Sequence, residues 1–481
     1  MMKTRILACL LAAVMLLGAT ACGVGEKDKT DDEAKGTSAS TGSESEGEEV
    51  YVPDIEKKNY EMEFNIATVH DKEMVIVEQT SGDTLLDSVY ERAVNIKEHV
   101  GVDLVILDAG DWIQMPNNII TSVLSGDDTY QLGMTHVYQG LTDMVTANAL
   151  YDYGELESVN LQAPYWATEL MEEVRIEDKY LMGHSDFFLT DVHCIVFNKD
   201  LMQEHGMEEP YEMVRNKEWT LDKFIEMSSL VSADNGDGTW DNQDTYGLAG
   251  WGWVYLIDFV TSSDMKIVEK DENDNFVIAY NNHTEKMTEL VDTIFDLYNA
   301  DYTYFWKSTE QGNADVMVDF AKGNALFSFY NTSTLKNFRG EEIRFGILPY
   351  PMYDADQENY KTLNWSGMMV IPSVIEHPDM VSDVVELLGY YTAPVKTAYY
   401  EELLGAKLAN APEDAEMLEL LWDTVVSDIG IVACAAERTM DNLTYLIPKI
   451  CESGKNNYAS YVKGNSRGAQ RALDRVFGQE V

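Results

Sequence analysis

The sequence predicts an α/β fold in which strands and helices alternate along the chain. Two β-like segments, 63–69 and 102–107, flank an amphipathic helix, and a third strand is predicted over 130–134. Strands that alternate with helices typically form a parallel sheet with helices on both faces. Because such sheets bind ligands outside the carboxyl ends of their strands, we expect ligand contacts in the loops at His70 and at 135–139.

The helix that follows the first strand has clear ends. Asp83 is a typical N-cap residue, and Gly101 is typical of the position just beyond a helix C-terminus. Its apolar residues recur at steps of three and four, the spacing of one helix face; they are Leu86, Val89, Ala93, Ile96 and Val100. A second helix is predicted over 117–124. The same spacing predicts a helix that packs on a sheet through Met287, Leu290, Val291, Ile294 and Tyr298.

Residues 1–22 are predicted to be a secretory signal. Lys3 and Arg5 precede the apolar run 6–17, and small residues then lead to Cys22. The run is short for a membrane span, which needs roughly 20 residues. Small residues directly before a cysteine resemble a bacterial lipobox, although Ala19 stands where leucine is usual. We therefore expect lipidation at Cys22, with an ordinary cleaved signal or an uncleaved anchor as the alternatives.

Residues 23–50 are predicted to be a disordered acidic linker rich in Ser and Gly. The segment contains almost no residue that could build a core, so burial cannot offset the entropy of ordering it. The remaining body, 51–481, is long enough for two to three domains. No further apolar run in it could span a bilayer. The linker would let a folded body move away from a lipid anchor.

The charge and the cysteines exclude several classes of partner and site. The chain has 84 acidic and 34 basic residues and a formal net charge of −50, which argues against nucleic acid and against anionic lipid as partners. Cys194, Cys434 and Cys451 are the cysteines of the body, and their spacing matches neither a metal site nor a disulfide framework. The sequence leaves open whether Cys434 and Cys451 form a disulfide.

Several segments of the body share one likeness. They are VYERAVNIKEHVGVDL, the Phe-Asn-Lys-Asp step at 197–200, the helix start at 218–220, FAKGNALFSFYNTSTLKNF and FGILPYPMYDADQENYKTLNWSGMMVIPS. Together they resemble the extracellular family 1 solute-binding proteins of ABC transporters, the maltose-binding-protein-like group. The likeness extends over nearly all of residues 60–480, and it indicates the family rather than one substrate.

The resemblance implies a two-lobed periplasmic-binding-protein-like fold with hinge strands and a ligand cleft between the lobes. It implies that the first lobe comprises 51–193 and 328–372, and the second 196–325 and 375–481. Closure about the hinge would follow ligand binding, because the ligand contacts both lobes only in the closed form.

The resemblance also implies the biological role. We expect an extracytoplasmic, lipid-anchored monomer that captures a small polar solute, an oligosaccharide in particular, for the permease subunits of an ABC importer. Contact with the membrane would be through the lipid anchor only, and no cofactor is expected apart from a structural calcium considered below.

A sugar site pairs aromatic rings with groups that form directional hydrogen bonds. The strand-end loops and the resemblance together give the candidate contacts His70, Tyr138, Gln139, Asp191, Trp251, Trp253, Asn331, Thr332 and Trp365. Trp251 and Trp253 would face one side of a strand, which suits either stacking on a sugar or ordinary packing. Asp191 could equally be paired internally, and His184 and His193 are expected to be structural.

The segment 233–244 resembles a calcium loop. If the calcium-loop motif is aligned so that Gly238 occupies its sixth position, the ligand positions fall on Asn235, Asp237, Asp241 and Asp244. Ala233 stands at the first place, where an aspartate is usual. The alternative is an Asp/Gly turn that connects two elements.

The sequence argues against an enzyme. It contains no HExxH, no CxxC and no GxxxxGK[ST] phosphate loop. With 84 acidic residues, the sequence leaves a glycoside hydrolase as an alternative. Two carboxylates, Asp191 among them, could lie by chance at the distance that glycosidases use. A sensor or adhesin built on the same fold is the other alternative.

Overall fold

The computed structural model describes residues 51–70, 72–189, 191–338, 340–405 and 412–478. The signal 1–22, its Cys22 and the linker 23–50 lie outside the described residues, so those predictions stay predictions. Residues 51–481 form one compact unit.

The strands of the described residues are named here in chain order. They are β1 Met62–Thr68, β2 Val102–Leu107, β3 Leu132–Thr135, β4 His193–Asn198, β5 Ser232–Ala233, β6 Thr245–Trp251, β7 Val268–Lys270, β8 Phe276–Ile278, β9 Thr303–Trp306, β10 Ala325–Asn331, β11 Phe345–Leu348, β12 Thr362–Leu363, β13 Met368–Val370 and β14 Val425–Val426.

The helices are referred to by their bounds. The α-helices are Lys72–Val75, Thr84–Val100, Gln114–Ser125, Leu141–Thr146, Thr168–Glu173, Lys199–Glu204, Tyr211–Arg215, Leu221–Ser228, Asp258–Ser262, Thr284–Tyr298, Pro378–Tyr390, Ala393–Gly405, Pro412–Asp423, Ile429–Val432, Arg438–Thr444, Leu446–Ser453 and Tyr458–Phe477. Single 3-10 turns lie at Tyr153–Glu155, Val254–Leu256, Ala279–Asn281, Ser308–Glu310, Phe320–Lys322, Thr332–Phe338 and Ala433–Ala436. Within the described ranges, no helix combines the length and apolarity that crossing a bilayer requires.

The first sheet has four strands in the order β13-β3-β1-β2. Strand β1 is parallel to both β2 and β3, which confirms the parallel sheet predicted from alternating strands and helices. Strand β13 is antiparallel to β3 and comes from far along the chain, so the local pattern could not reveal it.

The helix Thr84–Val100 confirms both predicted ends. The Asp83 side chain accepts a hydrogen bond from the Leu86 N–H, and Gly101 has a left-handed φ of 69°. The buried face is rotated by one residue from the predicted one, since Leu85 and Arg92 are buried in place of Leu86 and Ala93. Arg92 is tolerated there because it donates hydrogen bonds to groups of other segments.

The second sheet has six strands, with the order β11-β4-β10-β6-β5 and with β9 paired to β6. Strand β10 is antiparallel to β4 and parallel to β6. All six residues of β4 are buried, because both faces of this strand are covered by packed side chains. The predicted helix Thr284–Tyr298 buries Met287, Leu290, Val291 and Ile294 as expected, and Leu297 in place of Tyr298.

Strand pairing and packing differ from the expected lobe boundaries. Strand β11, assigned to the first lobe with 328–372, pairs with β4 in the second sheet. The helix Pro378–Tyr390, assigned to the second lobe with 375–481, packs on the apolar residues of the first sheet. The chain therefore returns from the second sheet to the first between β11 and β13, rather than near residue 328.

Two passages of the chain between the sheets are joined. Val192, directly before β4, and Asn364, directly after β12, form an isolated antiparallel β-bridge. The Asn364 N–H also donates to the Val426 carbonyl at 2.9 Å. Both passages are thus fixed to each other at one point.

The cysteines of the body are free thiols. Cys194, Cys434 and Cys451 are all buried and unbridged. The Cys434–Cys451 disulfide that the sequence left open is therefore not formed.

Candidate ligand-binding site

A cavity of about 370 Å³ lies where the ends of the two sheets meet. The first sheet contributes His70, two residues after β1, and His136, directly after β3. The second sheet contributes Asp191, shortly before β4, and Asn331 at the end of β10. Carboxyl ends of parallel strands are where α/β sheets bind ligands.

Four of the residues predicted from the sequence line this cavity. They are His70, Asp191, Asn331 and Trp365. Their predicted loops converge because β1, β3 and β10 all end at the same side of the molecule, and because the stretch after β12 brings Trp365 to that side.

The Trp365 ring is the centre of an aromatic group. It is only 8 % exposed, and its ring centroid lies 5.6 Å from that of Tyr138 in a stacked arrangement with 28° between the planes. His136 and His193 lie edge-on or tilted to it at 5.6 and 5.2 Å. Tyr138 thus contacts the Trp365 ring but is not part of the cavity wall. The surroundings of Trp365 fix the orientation of its indole.

Gly367 allows the chain to approach this group closely. Its φ of 152° and its position leave no room for a side chain, because a Cβ would lie 2.1 Å from the Thr135 carbonyl oxygen and 2.8 Å from the Phe188 ring. The turn that presents Trp365 therefore requires glycine at this position.

Asp191 holds the wall contributed by the second sheet. Its carboxylate accepts hydrogen bonds from the Asn331 amide at 3.1 Å and the Thr332 hydroxyl at 2.9 Å. It also accepts from the Ser333 N–H at 2.9 Å and the Ser333 hydroxyl at 2.8 Å. The side-chain amide oxygen Oδ1 of Asn331 accepts from the Tyr255 hydroxyl at 3.0 Å. Asp191 is thus paired internally and fixes the geometry of 331–333.

Five predicted contacts lie outside the cavity wall: Tyr138 and Thr332, described above, and Gln139, Trp251 and Trp253. Trp253 stacks on Tyr445 with 4.7 Å between ring centroids and 13° between planes. Trp251 contacts Tyr255 edge-on at 6.4 Å. The Gln139 N–H donates to the carbonyl of His136 at 3.2 Å, in the turn after β3. Both tryptophans thus contact aromatic side chains of the protein, and their contact with a ligand stays a prediction.

Two histidines, His70 and His136, line the cavity, and burial lowers the pKa of both. Burial, followed by the charges of His70 and His193, lowers the pKa of His136 to about 3. Burial also lowers the pKa of His70, against the effect of its hydrogen bond to the Thr135 carbonyl. A neutral imidazole offers one donor and one acceptor, which suits hydroxyl groups of a ligand.

His193 is a structural residue, as the sequence led us to expect. Its Nδ1 lies 2.7 Å from Asp258 Oδ2, and both side chains are buried. Burial raises the pKa of Asp258, and His193 opposes that shift. The His193 ring of this pair lies 5.2 Å from the Trp365 ring.

We expect His136 to make stability depend on pH. Because its folded-state pKa lies below the unfolded value of about 6.5, its contribution is present above that pH and is lost as the pH falls toward 3, by at most about 1.4 kcal/mol per pH unit. Asp428, whose pKa burial raises to about 6, acts in the opposite direction. The informative quantity is therefore the difference between His136→Gln and wild type in how the free energy of unfolding changes with pH.

Urea unfolding at pH 7.5, 6.5, 5.5 and 4.5 measures that difference. From pH 6.5 to 4.5, His136→Gln should lose roughly 1–2 kcal/mol less stability than the wild type. The exposed His205, changed to Gln, serves as the control and should follow the wild type. Parallel curves for His136→Gln and wild type would contradict the prediction.

The sequence missed several residues of the wall. They are His136, Ser333, Lys336 and the apolar group Met74, Val75, Leu85, Phe187, Phe188 and Tyr399. The predicted contact loop 135–139 already contained His136, so its position after the third strand was the available signal. Ser333 and Lys336 follow Asn331 in the turn Thr332–Phe338. The apolar residues carry no local signal, since their residue types are those of any core.

The predicted calcium loop uses its side chains as acceptors for its own backbone. Asp244 accepts from the N–H groups of Asn235 at 2.8 Å and Asp241 at 2.6 Å. Asn235, Asp237 and Asp241 each accept from the N–H two residues further on, as in Asx turns. Among the described residues, no three His, Cys, Asp or Glu side chains are grouped to hold a metal ion. These bonds fit the turn alternative, and calcium binding stays a prediction for titration of metal-stripped protein.

Comparisons with known proteins identify the fold. A scan against protein-family models finds no match. A search of curated proteins also finds none. Solved structures do match. The GacH receptor of Streptomyces glaucescens, known unliganded and in complex with acarbose, is 11% identical with a TM-score of 0.56, over 87% of this chain and 99% of that one.

Two further structures match to a similar extent. An ABC substrate-binding protein of Listeria monocytogenes in complex with cycloalternan is 9% identical with a TM-score of 0.55, over 87% of this chain and 100% of that one. UgpB of Mycobacterium tuberculosis in complex with glycerophosphocholine is 14% identical with a TM-score of 0.58, over 86% and 98%. The expected two-lobed fold is thereby confirmed: the chain has the mixed α/β fold of the maltose-binding-protein-like solute-binding proteins of ABC transporters.

Proposed function

We propose that this chain is a lipid-anchored, extracytoplasmic solute-binding protein of an ABC importer that captures a small polar solute, an oligosaccharide in particular. The observation that carries the proposal is the cavity where the two sheets meet, with the Trp365 ring and hydrogen-bonding groups in its wall. A sugar presents apolar C–H faces and a rim of hydroxyls, which such a wall complements.

Both sheets supply the wall, and this supports capture by closure. His70 and His136 come from the first sheet, and Asn331 and Ser333 come from the end of the second. A ligand that bonds to both groups at once favours the conformation in which they are close. The permease subunits would then recognise that conformation.

The solved structures of the same fold support this class of ligand. Acarbose, cycloalternan and glycerophosphocholine are the ligands named for three of them. All three are polar solutes, and two are built from sugar rings. These ligands support a small polar solute as the ligand class and, less directly, an oligosaccharide.

A hydrolase has less support. The Asp191 carboxylate accepts four hydrogen bonds from the protein, whereas a general acid must carry a proton for the leaving group. The letters GxSxG occur at 464–468, but they lie within the helix Tyr458–Phe477. In hydrolases that motif occupies a sharp strand-to-helix turn. Ser466 instead donates to the Val462 carbonyl at 2.8 Å.

The lipid anchor predicts where the protein is found. Cys22→Ser removes the thiol that would carry the acyl chains, so the protein should move from the membrane fraction to the soluble extracytoplasmic fraction. Cys9→Ser, within the apolar run, is the matched control and should stay with the membrane. Immunoblots of the fractions measure this. Membrane retention of Cys22→Ser would contradict lipidation at that residue.

The ligand is tested with the full-length chain carrying Cys22→Ser. Thermal melting against a panel of oligosaccharides should reveal glycans that raise the melting temperature, because a ligand that binds only the folded state stabilises it by mass action. Calorimetry should then give a stoichiometry of one without product formation. Turnover of a labelled glycan would favour hydrolysis, and a panel without any shift would remove the sugar from the proposal.

A further inference from the structure

One part of the cavity wall is apolar, and binding of a sugar alone does not require such a surface. It is formed by an apolar pocket, which we define by six lining residues: Met74, Val75, Leu85, Phe187, Phe188 and Tyr399. They come from the helix Lys72–Val75, the start of the next helix, the segment before β4, and the helix Ala393–Gly405. Hydrocarbon and aromatic groups dominate this surface, so it offers few partners for hydroxyl groups.

The apolar pocket borders the polar wall at Phe188, whose ring lies edge-on to the His70 ring with 4.6 Å between centroids. Met74, Leu85 and Tyr399 pack in one apolar cluster with residues of the helices Thr84–Val100 and Ala393–Gly405. Asn331 and Ser333 are instead joined to each other through the Asp191 carboxylate. A ligand that fills the cavity therefore meets hydrogen-bonding groups on one side and apolar groups on another.

A buried arginine fixes the walls of the apolar pocket. Arg92 donates to the carbonyls of Met74 at 2.7 Å and Val75 at 2.9 Å, and to the Thr392 hydroxyl at 3.0 Å. Its guanidinium carbon lies 4.6 Å from the centroid of the Phe187 ring. One side chain thus contacts the first helix, the segment before β4 and the residue that precedes the helix Ala393–Gly405.

A second polar contact strengthens this frame. Lys396 donates to the Asp186 carboxylate at 2.7 Å, which joins the residue before Phe187 to the helix that carries Tyr399. Such directional bonds hold the apolar walls in fixed positions, and a rigid preformed pocket lowers the entropy cost of binding.

We propose that the apolar pocket accepts an aryl or short alkyl substituent attached to the sugar, so that the captured solute is an aryl or alkyl glycoside. This inference rests on the proposed capture function and names its substrate class. The cavity volume of about 370 Å³ agrees with one or two sugar rings bearing such a group, since it lies near the lower end of the roughly 300–1,000 Å³ of small-molecule sites.

Calorimetry on the full-length Cys22→Ser chain tests the inference with matched pairs of ligands. The pairs are the methyl and phenyl glycosides of glucose, galactose, mannose and xylose in both anomers, and benzyl alcohol serves as a fragment without a sugar. For at least one sugar, the phenyl glycoside should bind at least tenfold more tightly than the methyl glycoside.

A polar variant of the apolar pocket provides the second measurement. Met74 is partly exposed, so Met74→Gln keeps the length of the side chain while making the pocket polar. The phenyl preference should fall below threefold in Met74→Gln. Met207→Gln is the matched control, because Met207 is also partly exposed and does not line the cavity. It should keep the wild-type preference.

The outcomes separate this inference from the proposed function. If a methyl glycoside binds and its phenyl counterpart binds equally well, the apolar pocket has no role in recognition and sugar capture still stands. If no glycoside binds but benzyl alcohol binds to wild type and not to Met74→Gln, the apolar pocket is supported and the sugar is wrong. If neither glycosides nor benzyl alcohol bind, or if Met74→Gln keeps the phenyl preference, the inference is overturned.

Discussion

Replacement of Trp365 by alanine is expected to weaken binding of the best glycan at least tenfold and to lower the free energy of unfolding by about 3–5 kcal/mol. The indole lines the cavity and also packs between Tyr138, His136 and His193, so its removal affects the site and the core together. Calorimetry gives the affinity of the folded protein, and urea unfolding gives the stability.

Two phenylalanine variants separate those effects. Trp365→Phe keeps a ring in the cavity wall and should cost less stability than alanine, with a measurable loss of affinity. Trp219→Phe alters a tryptophan that is fully buried, with its Nε1 donating to the Pro349 carbonyl at 3.0 Å, and that does not line the cavity. It should lower stability and leave affinity unchanged. Equal affinities for wild type and Trp365→Ala would remove Trp365 from the site.

Asp191→Ala is expected to lower the free energy of unfolding by roughly 2–4 kcal/mol and affinity at least tenfold. The reason is that Asn331, Thr332 and Ser333 lose their shared acceptor, and leaving a buried donor without its partner costs about 1–3 kcal/mol. The wall of the second sheet would then lose its fixed geometry. The same two measurements apply.

Two variants control for this prediction. Asp191→Asn keeps one acceptor oxygen and should show a smaller loss of both quantities. Asp271→Ala removes a carboxylate that accepts from the N–H groups of Asn273 and Asn275 in a turn away from the cavity. It should affect stability without changing affinity. Unchanged affinity in Asp191→Ala would mean that 331–333 does not contact the ligand.

Sequence patterns predicted the parts of the fold that depend on neighbouring residues. The spacing of apolar residues and the capping residues Asp83 and Gly101 gave the helix Thr84–Val100, and strand alternation gave the sheet of β1, β2 and β3. Arg92 was missed because a charged residue is excluded from an apolar stripe. Its burial depends on acceptors in distant segments, among them Thr392, which no local pattern reveals.

The same distinction applies to the site. His70 and Asn331 could be predicted because His70 lies just after β1 and Asn331 is the last residue of β10, and both strands end at the cavity. Trp253 has a similar sequence context, but Tyr445 from a far part of the chain stacks on its ring. The sheet membership of β11 differs from the expected lobe assignment for a related reason, since its partner is β4, and edge pairing is decided by the whole sheet rather than by the strand.

The bridge between Val192 and Asn364 has a mechanical consequence. Each of these residues is the immediate neighbour of a residue in the cavity wall, Asp191 and Trp365. If the lobes rotate about the line through this bridge, atoms beside the axis sweep the shortest arcs. Asp191 and Trp365 would then move little during the rotation. Residues farther from the axis, among them His70, would move toward the bound ligand.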